Sequence, residues 1–482
     1  MNILFATSEI YPLAKTGGLA DVSGALPVAL RKLGVDIRVL LPGYPKVLAA
    51  LPGKILLASL ELPVHGALRL FSAIMPDSDV PLIVIDHPGY FNRRGGPYQD
   101  TTGQDWPDNH LRFGLLSAIT ALLGSATSPL HWQVDIVHCN DWQTALAPAY
   151  LQHGSAHPAQ TLMTIHNLAY QGIFPPHTLS ELGLPPASFS IEGLEYYGNL
   201  SFLKAGLYYA EHLSTVSPTY AEEIQQDALG FGMQGLLQQR RAQLTGIVNG
   251  IDTHDWNPAC DPHLCRHYQP GRMTGKAAAK RLLQAEHGLT LSKDAPLLGV
   301  ISRMTPQKGQ DLLLAIAPQL IESGAQIVVL GNGDALLEKK LRELAAEYPA
   351  QVGVVIGYNE GLAHRIEAGA DIFLMPSRFE PCGLNQMYSQ RYGTPPVVHR
   401  TGGLADTVTD TTDASLADGS ATGFMFDEAT PAAFLTAVQR ALACYHNPRQ
   451  WNQIKKNGMA CDFSWEASAR QYQALYRRML AG

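Results

Sequence analysis

The hexapeptide Thr-Gly-Gly-Leu-Ala-Asp occurs twice in this sequence, at residues 16–21 and again at residues 401–406. Each copy follows an apolar, strand-like run and has a cation, Lys15 or Arg400, directly before it. Two consecutive glycines let backbone N–H groups come close to a ligand, and a helix start beyond them favours anionic groups. The repeat therefore predicts two loops, one in each half, that hold a phosphate-bearing ligand between two domains. A pair of ordinary strand-to-helix turns is the alternative, because glycine is common in turns.

The segment at residues 302–309 follows a predicted strand, opens a helix and carries two cations, Arg303 and Lys308. Arginine offers a bidentate fork of donors and lysine a compact charge. Together these side chains could neutralise a diphosphate leaving group without a metal ion. A pair of solvated surface cations is the alternative interpretation.

The segment at residues 378–385 follows another predicted strand, and a helix begins at its glycine, Gly383. Backbone N–H groups at that helix start could hold a phosphate, and Glu380 could reach a sugar. Glu380 could instead only compensate the helix dipole, and Cys382 could be either a reactive thiol or a small packed residue. At a further strand end, His166 could bind substrate or act as an acid or base, although a histidine there is more often structural.

Other motifs predict chemistry less strongly. Residues 271–276 resemble a phosphate-binding P-loop ending in Lys276, but the motif is one residue short and follows no strand. The glycine-rich run at 331–334 is too short for a dinucleotide signature and predicts a tight turn. Cys260 and Cys265 lack the second ligand pair of a typical zinc site, so we expect reduced thiols and no metal.

The composition is that of a globular protein and argues against two classes of partner. Of 482 residues, 46% are hydrophobic and 16% are charged, and the formal net charge is −7. An acidic chain is a poor general binder of nucleic acid, and no apolar stretch approaches the ~20 residues of a membrane-spanning helix. The sequence begins directly with a strand-like run. We therefore expect a cytoplasmic protein without nucleic-acid or membrane partners.

Apolar runs alternate with helical periodicity in both halves, as in doubly wound α/β domains built on parallel sheets. We predict two such Rossmann-like domains facing a central cleft, at residues 1–250 and 251–463. A terminal helix at 464–482 is expected to pack back on the first domain. Doubly wound sheets bind ligands beyond the carboxyl ends of their strands, and the candidate loops lie at those ends.

The predicted strands are 2–6, 36–41, 82–86, 135–138, 162–166, 213–216 and 246–249 in the first domain and 297–302, 326–330, 352–356, 372–376 and 396–399 in the second. The predicted helices are 110–123, 141–152, 309–321, 335–347, 360–369, 384–392 and 465–480. Segments 87–108 and 170–200 are too long for simple connections, and we expect them to be either functional loops or decorations of the core.

With these residues assembled, the whole chain resembles the bacterial glycogen and starch synthases, which are retaining glucosyltransferases with two Rossmann-like domains (the GT-B type). The most specific match is Lys-Thr-Gly-Gly-Leu at residues 15–19. The other matching segments are 138–142, 164–172, 204–206, 248–252, 302–308, 377–384 and 400–406. The resemblance implies that the chain uses ADP-glucose to extend α-1,4-glucans such as glycogen at the non-reducing end, without a cofactor.

The resemblance also implies roles for individual residues. Lys15 and Gly18 would approach the diphosphate and the glucose of the donor. Arg303 and Lys308 would stabilise the departing ADP, and Glu380 would bind or polarise the glucose. The remaining implied site residues are Cys382, Gly383, Leu384 and Asn385 beside Glu380, His166 near the reacting carbon, Gly17 and Asp21 in the first loop, Asp141, Asn167 and Asn249 along the cleft, Tyr358 as the adenine-stacking aromatic, and Tyr98 in a loop on the acceptor side.

Two positions depart from the pattern of related nucleotide-sugar transferases. Many of these have a second glutamate, which binds the ribose, eight positions after the residue that corresponds to Glu380. This chain has Tyr388 at that position, as is usual in the glycogen synthase branch. Asn385 stands where the family often has threonine, which could alter a phosphate contact.

An α-linked donor that gives an α-linked product requires net retention, and no carboxylate pair for double displacement is evident. We therefore favour front-face attack assisted by the leaving diphosphate. A related transferase using UDP- or GDP-sugars and a catalytically silent glucan- or nucleotide-binding homologue are the alternatives. A glucan phosphorylase would need a pyridoxal-phosphate lysine site, which we do not find in the sequence.

Overall fold

The computed structural model describes residues 1–154 and 158–481. Its backbone divides into two units, each with its own mainly parallel sheet. Met1–Gly250 and the C-terminal helix Trp465–Ala481 make up the N-terminal domain, and Ile251–Ser464 make up the C-terminal domain.

The strands of the N-terminal domain are β1 (Asn2–Ala6), β2 (Asp36–Pro42), β3 (Ile55–Leu62), β4 (Gly66–Ile74), β5 (Pro81–Asp86), β6 (Ile136–Asn140), β7 (Gln160–Ile165), β8 (Ile173–Phe174), β9 (Glu195–Tyr196), β10 (Asn199–Ser201), β11 (His212–Thr215) and β12 (Leu244–Gly246). Its helices before the domain boundary are α1 (Gly18–Lys32), α2 (Pro45–Ala50), α3 (Pro88–Phe91), α4 (Asn109–Leu123), α5 (Ala147–Gly154), α6 (Thr178–Glu181), α7 (Phe202–Tyr209), α8 (Pro218–Glu223) and α9 (Gln234–Gln239), with 3₁₀ turns at Trp142–Thr144 and Pro186–Ser188.

The main sheet of the N-terminal domain has, among the described residues, the strand order β12-β11-β7-β6-β1-β2-β5-β4-β3. All neighbours from β12 to β5 are parallel, and β4 and β3 add an antiparallel hairpin at one edge. β1, β6 and β7 are almost wholly buried because they are covered on both faces. β1 lies between β2 and β6, so the order of strand addition reverses there. A doubly wound sheet binds its ligand at such a switch point, beyond the carboxyl ends of the strands.

The C-terminal domain contains the strands β13 (Leu297–Ile301), β14 (Gln326–Gly331), β15 (Val352–Ile356), β16 (Ile372–Met375), β17 (Pro396–His399) and β18 (Phe424–Phe426). Its helices are α10 (Thr274–Glu286), α11 (Gln310–Glu322), α12 (Ala335–Glu347), α13 (Glu360–Gly369), α14 (Asn385–Arg391), α15 (Gly402–Thr407), α16 (Asp413–Ala417), α17 (Pro431–Tyr445) and α18 (Pro448–Ala460), with a 3₁₀ turn at Pro306–Lys308. The terminal helix of the chain is α19 (Trp465–Ala481).

The sheet of the C-terminal domain is parallel throughout, in the order β15-β14-β13-β16-β17-β18. The chain adds strands outward from β13 in one direction and then from β16 in the other. The switch point therefore lies between β13 and β16, whose carboxyl ends lead into the segments at 302–309 and 376–385. A buried apolar core lies against this sheet and includes Leu298, Leu313, Ile327 and Phe424.

Helix α19 packs on the N-terminal domain through a stripe with helical spacing. Trp465, Ala469, Tyr472, Tyr476 and Met479 are buried at intervals of three or four residues. Side-chain hydrogen bonds fix the register. The Tyr476 hydroxyl lies 2.8 Å from Nδ1 of His138, Ser468 donates to the carbonyl of Val248 at 2.7 Å, and Gln473 donates to that of Leu33 at 2.9 Å.

Two predicted elements were wrong in detail, and other strands were not predicted at all. The strand predicted at 246–249 is instead β12 at Leu244–Gly246. The helix predicted at 141–152 is divided into a 3₁₀ turn and α5, because Asp141 before the turn has a left-handed backbone with φ of 54°. The β3–β4 hairpin was not predicted, and segment 170–200 contains strands of a small antiparallel sheet, β8-β10-β9. Among the described residues, no helix is long and apolar enough to cross a membrane.

Candidate active site

The first hexapeptide forms the turn between β1 and α1 and leaves its two glycines exposed. Gly17 has an extended backbone and precedes α1, which begins at Gly18. A Cβ atom on either glycine would meet no described atom within 4 Å, so the fold itself does not require glycine there. The missing side chains leave room in front of backbone N–H groups at a helix start, where an anionic ligand is favoured.

Lys15 and Asp21 flank these glycines and pair with each other. Nζ of Lys15 lies 2.7 Å from Oδ1 of Asp21, and the two side chains are 38% and 29% exposed. Nζ also lies 5.2 Å from the ring centre of Tyr11. An ion pair this exposed contributes little to stability. Lys15 can therefore turn towards an anionic ligand at small energetic cost.

A buried carboxylate that the sequence analysis missed, Glu9, holds this loop. Its Oε2 accepts hydrogen bonds from the backbone N–H groups of Thr16 and, at 3.0 Å, Gly17, and its Oε1 accepts from the Tyr98 hydroxyl at 2.5 Å. Burial raises the pKa of Glu9 above its ordinary value and raises the pKa of Tyr98 well above 10. Tyr98 therefore stays a donor and ties the segment at 87–108 to the first loop. The available sequence signal was a lone acid just beyond a buried strand.

Asp141 and His166 lie at the carboxyl ends of β6 and β7. Oδ1 of Asp141 accepts from the backbone N–H of His166 at 2.7 Å, and burial raises the pKa of Asp141 to about 7. Burial lowers the pKa of His166 to about 3, so this imidazole is neutral at physiological pH. Asn140 donates through Nδ2 to the Ala6 carbonyl, which leaves its Oδ1 to accept from Nε2 of His166 at 3.0 Å. The proton of His166 is thereby assigned to Nε2, and Nδ1 is left as an acceptor.

Two asparagines predicted to bind substrate have different surroundings. Oδ1 of Asn167 accepts from the backbone N–H of Ala169 at 3.0 Å and fixes its own turn after β7. Asn249 follows β12 and is 7% exposed, and its Oδ1 has no hydrogen-bond partner among the described residues. A buried acceptor without a donor is costly, so Asn249 is suited to a ligand that donates a hydroxyl hydrogen bond.

An ion pair between Lys308 and Glu380 lies at the switch point of the C-terminal sheet. Nζ of Lys308 lies 2.5 Å from Oε2 of Glu380, which also accepts from the Ser377 hydroxyl at 3.1 Å. The Lys308 and Glu380 side chains are only 15% and 10% exposed. Because both side chains are mostly buried, little solvent screens this pair. If an anion also binds Lys308, Glu380 still accepts a hydrogen bond from Ser377.

The backbones of the two loops at this switch point touch. Gly309 has a φ of +68°, and a Cβ there would come within 3.0 Å of the Pro376 carbonyl oxygen. Arg378 joins the loops a second time, because its guanidinium forms a bidentate ion pair with Asp311 at 2.6 and 2.8 Å. Arg378 was not among the predicted site residues, and the structure gives it this bracing contact.

The other predicted residues around Glu380 lie in the turn before α14 and at its first position. Cys382 is buried, Gly383 has a φ of +72°, and Leu384 precedes α14. Asn385 donates through Nδ2 to the Ile301 carbonyl at 2.7 Å, so its side chain joins α14 to the end of β13. Its amide group is therefore used inside the fold.

Arg303 and Tyr358 are exposed at the carboxyl ends of β13 and β15. Among the described residues, the guanidinium of Arg303 makes no hydrogen bond or ion pair, so its charge is available to a ligand. The Tyr358 ring is 78% exposed, and its hydroxyl donates to Glu360 at 3.1 Å. An exposed aromatic ring at a strand end offers a flat face on which a base can stack.

The second hexapeptide is used differently from the first. Gly402 and Gly403 are buried, and a Cβ on either would come within 3.0 Å of backbone atoms of Glu380 or Cys382. The N–H of Gly403 donates to the carbonyls of Glu380 and Pro381 at 3.2 and 3.1 Å. This copy therefore supports the Glu380 loop from behind.

Within each domain, many of the predicted residues lie at the carboxyl ends of strands beside the switch point, whereas Asn249 and Tyr358 follow the edge strands β12 and β15, and Tyr98 lies in the loop before α4. The segment at 271–276, which resembles a P-loop only in part, leads into α10, and Nζ of Lys276 donates to the Ala368 carbonyl and to Thr394. In the part of the chain that the structure describes, no three His, Cys, Asp or Glu side chains are placed to hold a metal ion.

Comparison with known proteins identifies the family. Residues 2–239 match the model of the starch synthase catalytic domain, and residues 285–458 match that of glycosyl transferases group 1. Glycogen synthases of Nitrosomonas eutropha and Nitrosospira multiformis are each 56% identical over the whole of this chain, and the matches cover 96% and 97% of those proteins. This chain belongs to the glycogen synthase family.

Solved structures agree with this assignment. The catalytic domain of starch synthase IV from Arabidopsis thaliana, bound to ADP and acarbose, is similar with a TM-score of 0.88 and 31% identity, covering 100% of this chain and 99% of that one. Sucrose-phosphate synthase from Thermosynechococcus elongatus, with a TM-score of 0.60 and 19% identity, shares the fold. The predicted α/β class, with two Rossmann-like domains of the GT-B type, is confirmed.

Membership of the glycogen synthase family settles the class of activity. The enzyme is a retaining hexosyltransferase with glycogen synthase function. The geometry above therefore describes the residues that this family member has available for hexosyl transfer, at two sets of strand ends in two domains.

Proposed function

We propose that the enzyme transfers glucose from ADP-glucose to the non-reducing end of an α-1,4-glucan, in glycogen synthesis. The similarity to glycogen synthases and to a starch synthase structure bound to ADP and acarbose supports this choice of donor and acceptor. The exposed ring of Tyr358 at the end of β15 suits a stacked adenine.

The observation that carries the proposal is the pairing of Lys308 with Glu380 at the carboxyl ends of β13 and β16. Lys308 and the uncompensated Arg303 supply two positive charges beside the start of α14, where a diphosphate is favoured. Glu380 is close enough to Lys308 to bind the glucose attached to that diphosphate. Stabilisation of the leaving ADP by these cations then supplies much of the rate enhancement.

Retention follows from attack on the face that the leaving group occupies. The bond from C1 of glucose to the diphosphate oxygen breaks, and a bond from C1 to the acceptor 4-hydroxyl oxygen forms on the same face. The hydroxyl proton passes to the departing phosphate oxygen, so no carboxylate nucleophile is required. A neutral His166, with Nδ1 as an acceptor, can bind a glucose hydroxyl without competing for this proton.

The first hexapeptide supplies the remaining donor contacts in this scheme. Lys15 and Gly18 at the start of α1 approach the diphosphate, Gly17 leaves room beside them, and Asp21 is released from Lys15 to bind a hydroxyl. Asp141, Asn167 and Asn249 bind the sugar, and Tyr98 borders the acceptor. Since these side chains and backbone groups account for the charge of the leaving group, the proposal includes no cofactor or metal. A cytoplasmic location is part of it, and the free thiols of all six cysteines support that location.

The test is incorporation of label into glycogen from radiolabelled ADP-glucose or UDP-glucose. We expect incorporation from ADP-glucose by the wild type and by Lys339→Ala, which removes an exposed lysine of the same domain, but only traces from Lys308→Ala. Incorporation mainly from UDP-glucose would overturn the choice of donor. Absence of label from both donors would remove the proposed reaction.

A further inference from the structure

We propose that a basic cavity at the amino ends of β13 and β16 binds a small phosphorylated metabolite. The cavity has a volume of about 480 Å³, within the range of small-molecule sites. It is lined by the cations Lys276, Lys280, Arg281, Lys293 and Lys455, with Asp371 as the one lining carboxylate among the described residues. This proposal does not rest on the proposed donor or acceptor.

The cavity lies at the edge of the C-terminal sheet opposite the candidate active site. Asp371 directly precedes β16, and Lys293 lies just before β13. The other ends of the same two parallel strands lead to Lys308 and Glu380. A ligand here therefore occupies a site separate from the one at the strands' carboxyl ends.

Two of the five cations have structural partners that explain their presence. Nζ of Lys280 contacts Asp371 at 2.7 Å, the Ala295 carbonyl at 2.6 Å and the Tyr445 hydroxyl at 3.1 Å. Nζ of Lys276 donates to the Ala368 carbonyl at 3.0 Å and to Thr394 at 2.5 Å. These contacts join α10 to the strand ends and the neighbouring helices.

The other three cations make no such contacts in the part of the chain that the structure describes, and two of them, Arg281 and Lys293, are exposed to solvent. Among the described residues, no hydrogen bond or ion pair reaches the side-chain nitrogens of Arg281, Lys293 or Lys455. Burial lowers the pKa of the half-buried Lys455, although Asp371 acts in the opposite direction. Burial likewise lowers the pKa of Lys276 to about 7; the charge of Asp371 opposes this shift, and that of Lys455 adds to it.

An anion that enters this cavity meets the partly desolvated Lys276 and Lys455 beside the solvated Arg281 and Lys293, and it is attracted to each of them. The chain as a whole carries 42 acidic and 35 basic side chains, so five bases around one acid reverse its general balance. Met273, Leu291 and Trp451 add an apolar wall. The cations can bind a phosphate, and the apolar wall beside them can pack against a sugar ring. The cavity therefore fits a phosphorylated sugar or a molecule of similar size.

The test is calorimetric titration with glucose 1-phosphate and with inorganic phosphate, using glucose as the uncharged control. The informative variant is Arg281→Ala with Lys455→Ala, because neither side chain has a structural partner whose loss would unfold the domain. Lys339→Ala with Lys340→Ala removes two charges from α12 of the same domain and is the matched control. Lys308→Ala reports binding at the candidate active site.

We expect saturable binding of the phosphates by the wild type, the matched control and Lys308→Ala, and binding at least roughly tenfold weaker in the cavity variant. The cavity variant should keep the wild-type melting temperature. In the wild type, the phosphate should also protect Lys455 from amine modification, a readout that needs no variant. Binding that is unchanged in the cavity variant, that is lost in Lys308→Ala, or that leaves Lys455 unprotected would overturn the proposal.

Discussion

In the first copy of the hexapeptide Gly17 and Gly18 are exposed, whereas in the second copy Gly402 and Gly403 are buried. A Cβ on either glycine of the first copy would meet open space, but a Cβ on either glycine of the second would collide with backbone of the Glu380 loop. The same six residues therefore form an exposed turn in one domain and a packing contact in the other.

The helices that begin at the two copies also differ in length and in the contacts at their first residues. The first copy opens α1, which is 15 residues long, and a Cβ on its first residue, Gly18, would meet no described atom within 4 Å. The second opens α15, which has six residues, and the N–H of Gly403 is already bonded to the carbonyls of Glu380 and Pro381. A recurring motif thus indicates a recurring backbone turn, and the atoms in front of the turn decide its use.

The largest effect is expected from Gly403→Ala. The new Cβ would lie under 3.0 Å from the backbone of Cys382, so the Glu380 loop has to move. We expect the free energy of unfolding to fall by about 3 kcal/mol and kcat to fall roughly 100-fold, because misplacing a substrate-binding group by about 1 Å has that effect. Urea unfolding and initial rates measure the two quantities. Wild-type stability together with wild-type turnover would remove the supporting role of the second copy.

The second-largest effect is expected from Lys308→Ala, because Lys308 pairs with Glu380, whose loop the second copy supports. Lys308→Ala should lower kcat at least ~100-fold through loss of leaving-group stabilisation, while the KM for glycogen changes little. If the second copy acts by holding Glu380 beside Lys308, adding Gly403→Ala to Lys308→Ala should lower kcat far less than Gly403→Ala lowers it alone. Fully additive losses would separate the two functions.

Sequence alone predicted much of this arrangement because parallel strands buried on both faces are apolar runs, and the loops after them carry glycines and cations. β1 at Asn2–Ala6, β15 at Val352–Ile356 and α13 at Glu360–Gly369 have the predicted bounds. The β3–β4 hairpin was missed because its edge strand begins with three consecutive apolar residues that are exposed, Ile55, Leu56 and Leu57, and exposed positions alternate only beyond them.

The parts of the site that were missed depend on contacts between distant segments. Glu9 was overlooked because its partner Tyr98 lies 89 residues away, and only folding brings the two together. The break at Asp141 was missed because a positive φ at a non-glycine residue is set by its surroundings. The different use of the two hexapeptides was likewise hidden, since identical residues give identical local signals.

A smaller effect, on activity alone, is expected from Gly18→Ala, the matched change in the first copy. No described atom lies within 4 Å of the new methyl group, and alanine is a better helix former than glycine. We therefore expect the free energy of unfolding to be unchanged or higher by up to ~1 kcal/mol. The methyl group occupies space in front of the helix start, so kcat/KM for the donor should fall roughly tenfold. A destabilised variant with normal kcat/KM would reverse the comparison between the copies.

The smallest effect is expected from Arg400→Ala, which removes the cation before the second copy. Arg400 pairs with Asp427 at 2.6 Å, but the two side chains are 47% and 76% exposed, so the free energy of unfolding should change by less than ~0.5 kcal/mol. Because the second copy faces protein backbone, kcat should stay within about twofold of the wild type. Lys15→Ala, the same change before the first copy, should also leave stability nearly unchanged, yet lower kcat/KM for the donor roughly tenfold. Equal loss of activity in both variants would mean that the second cation also acts on the donor, and the division of labour between the copies would then have to be abandoned.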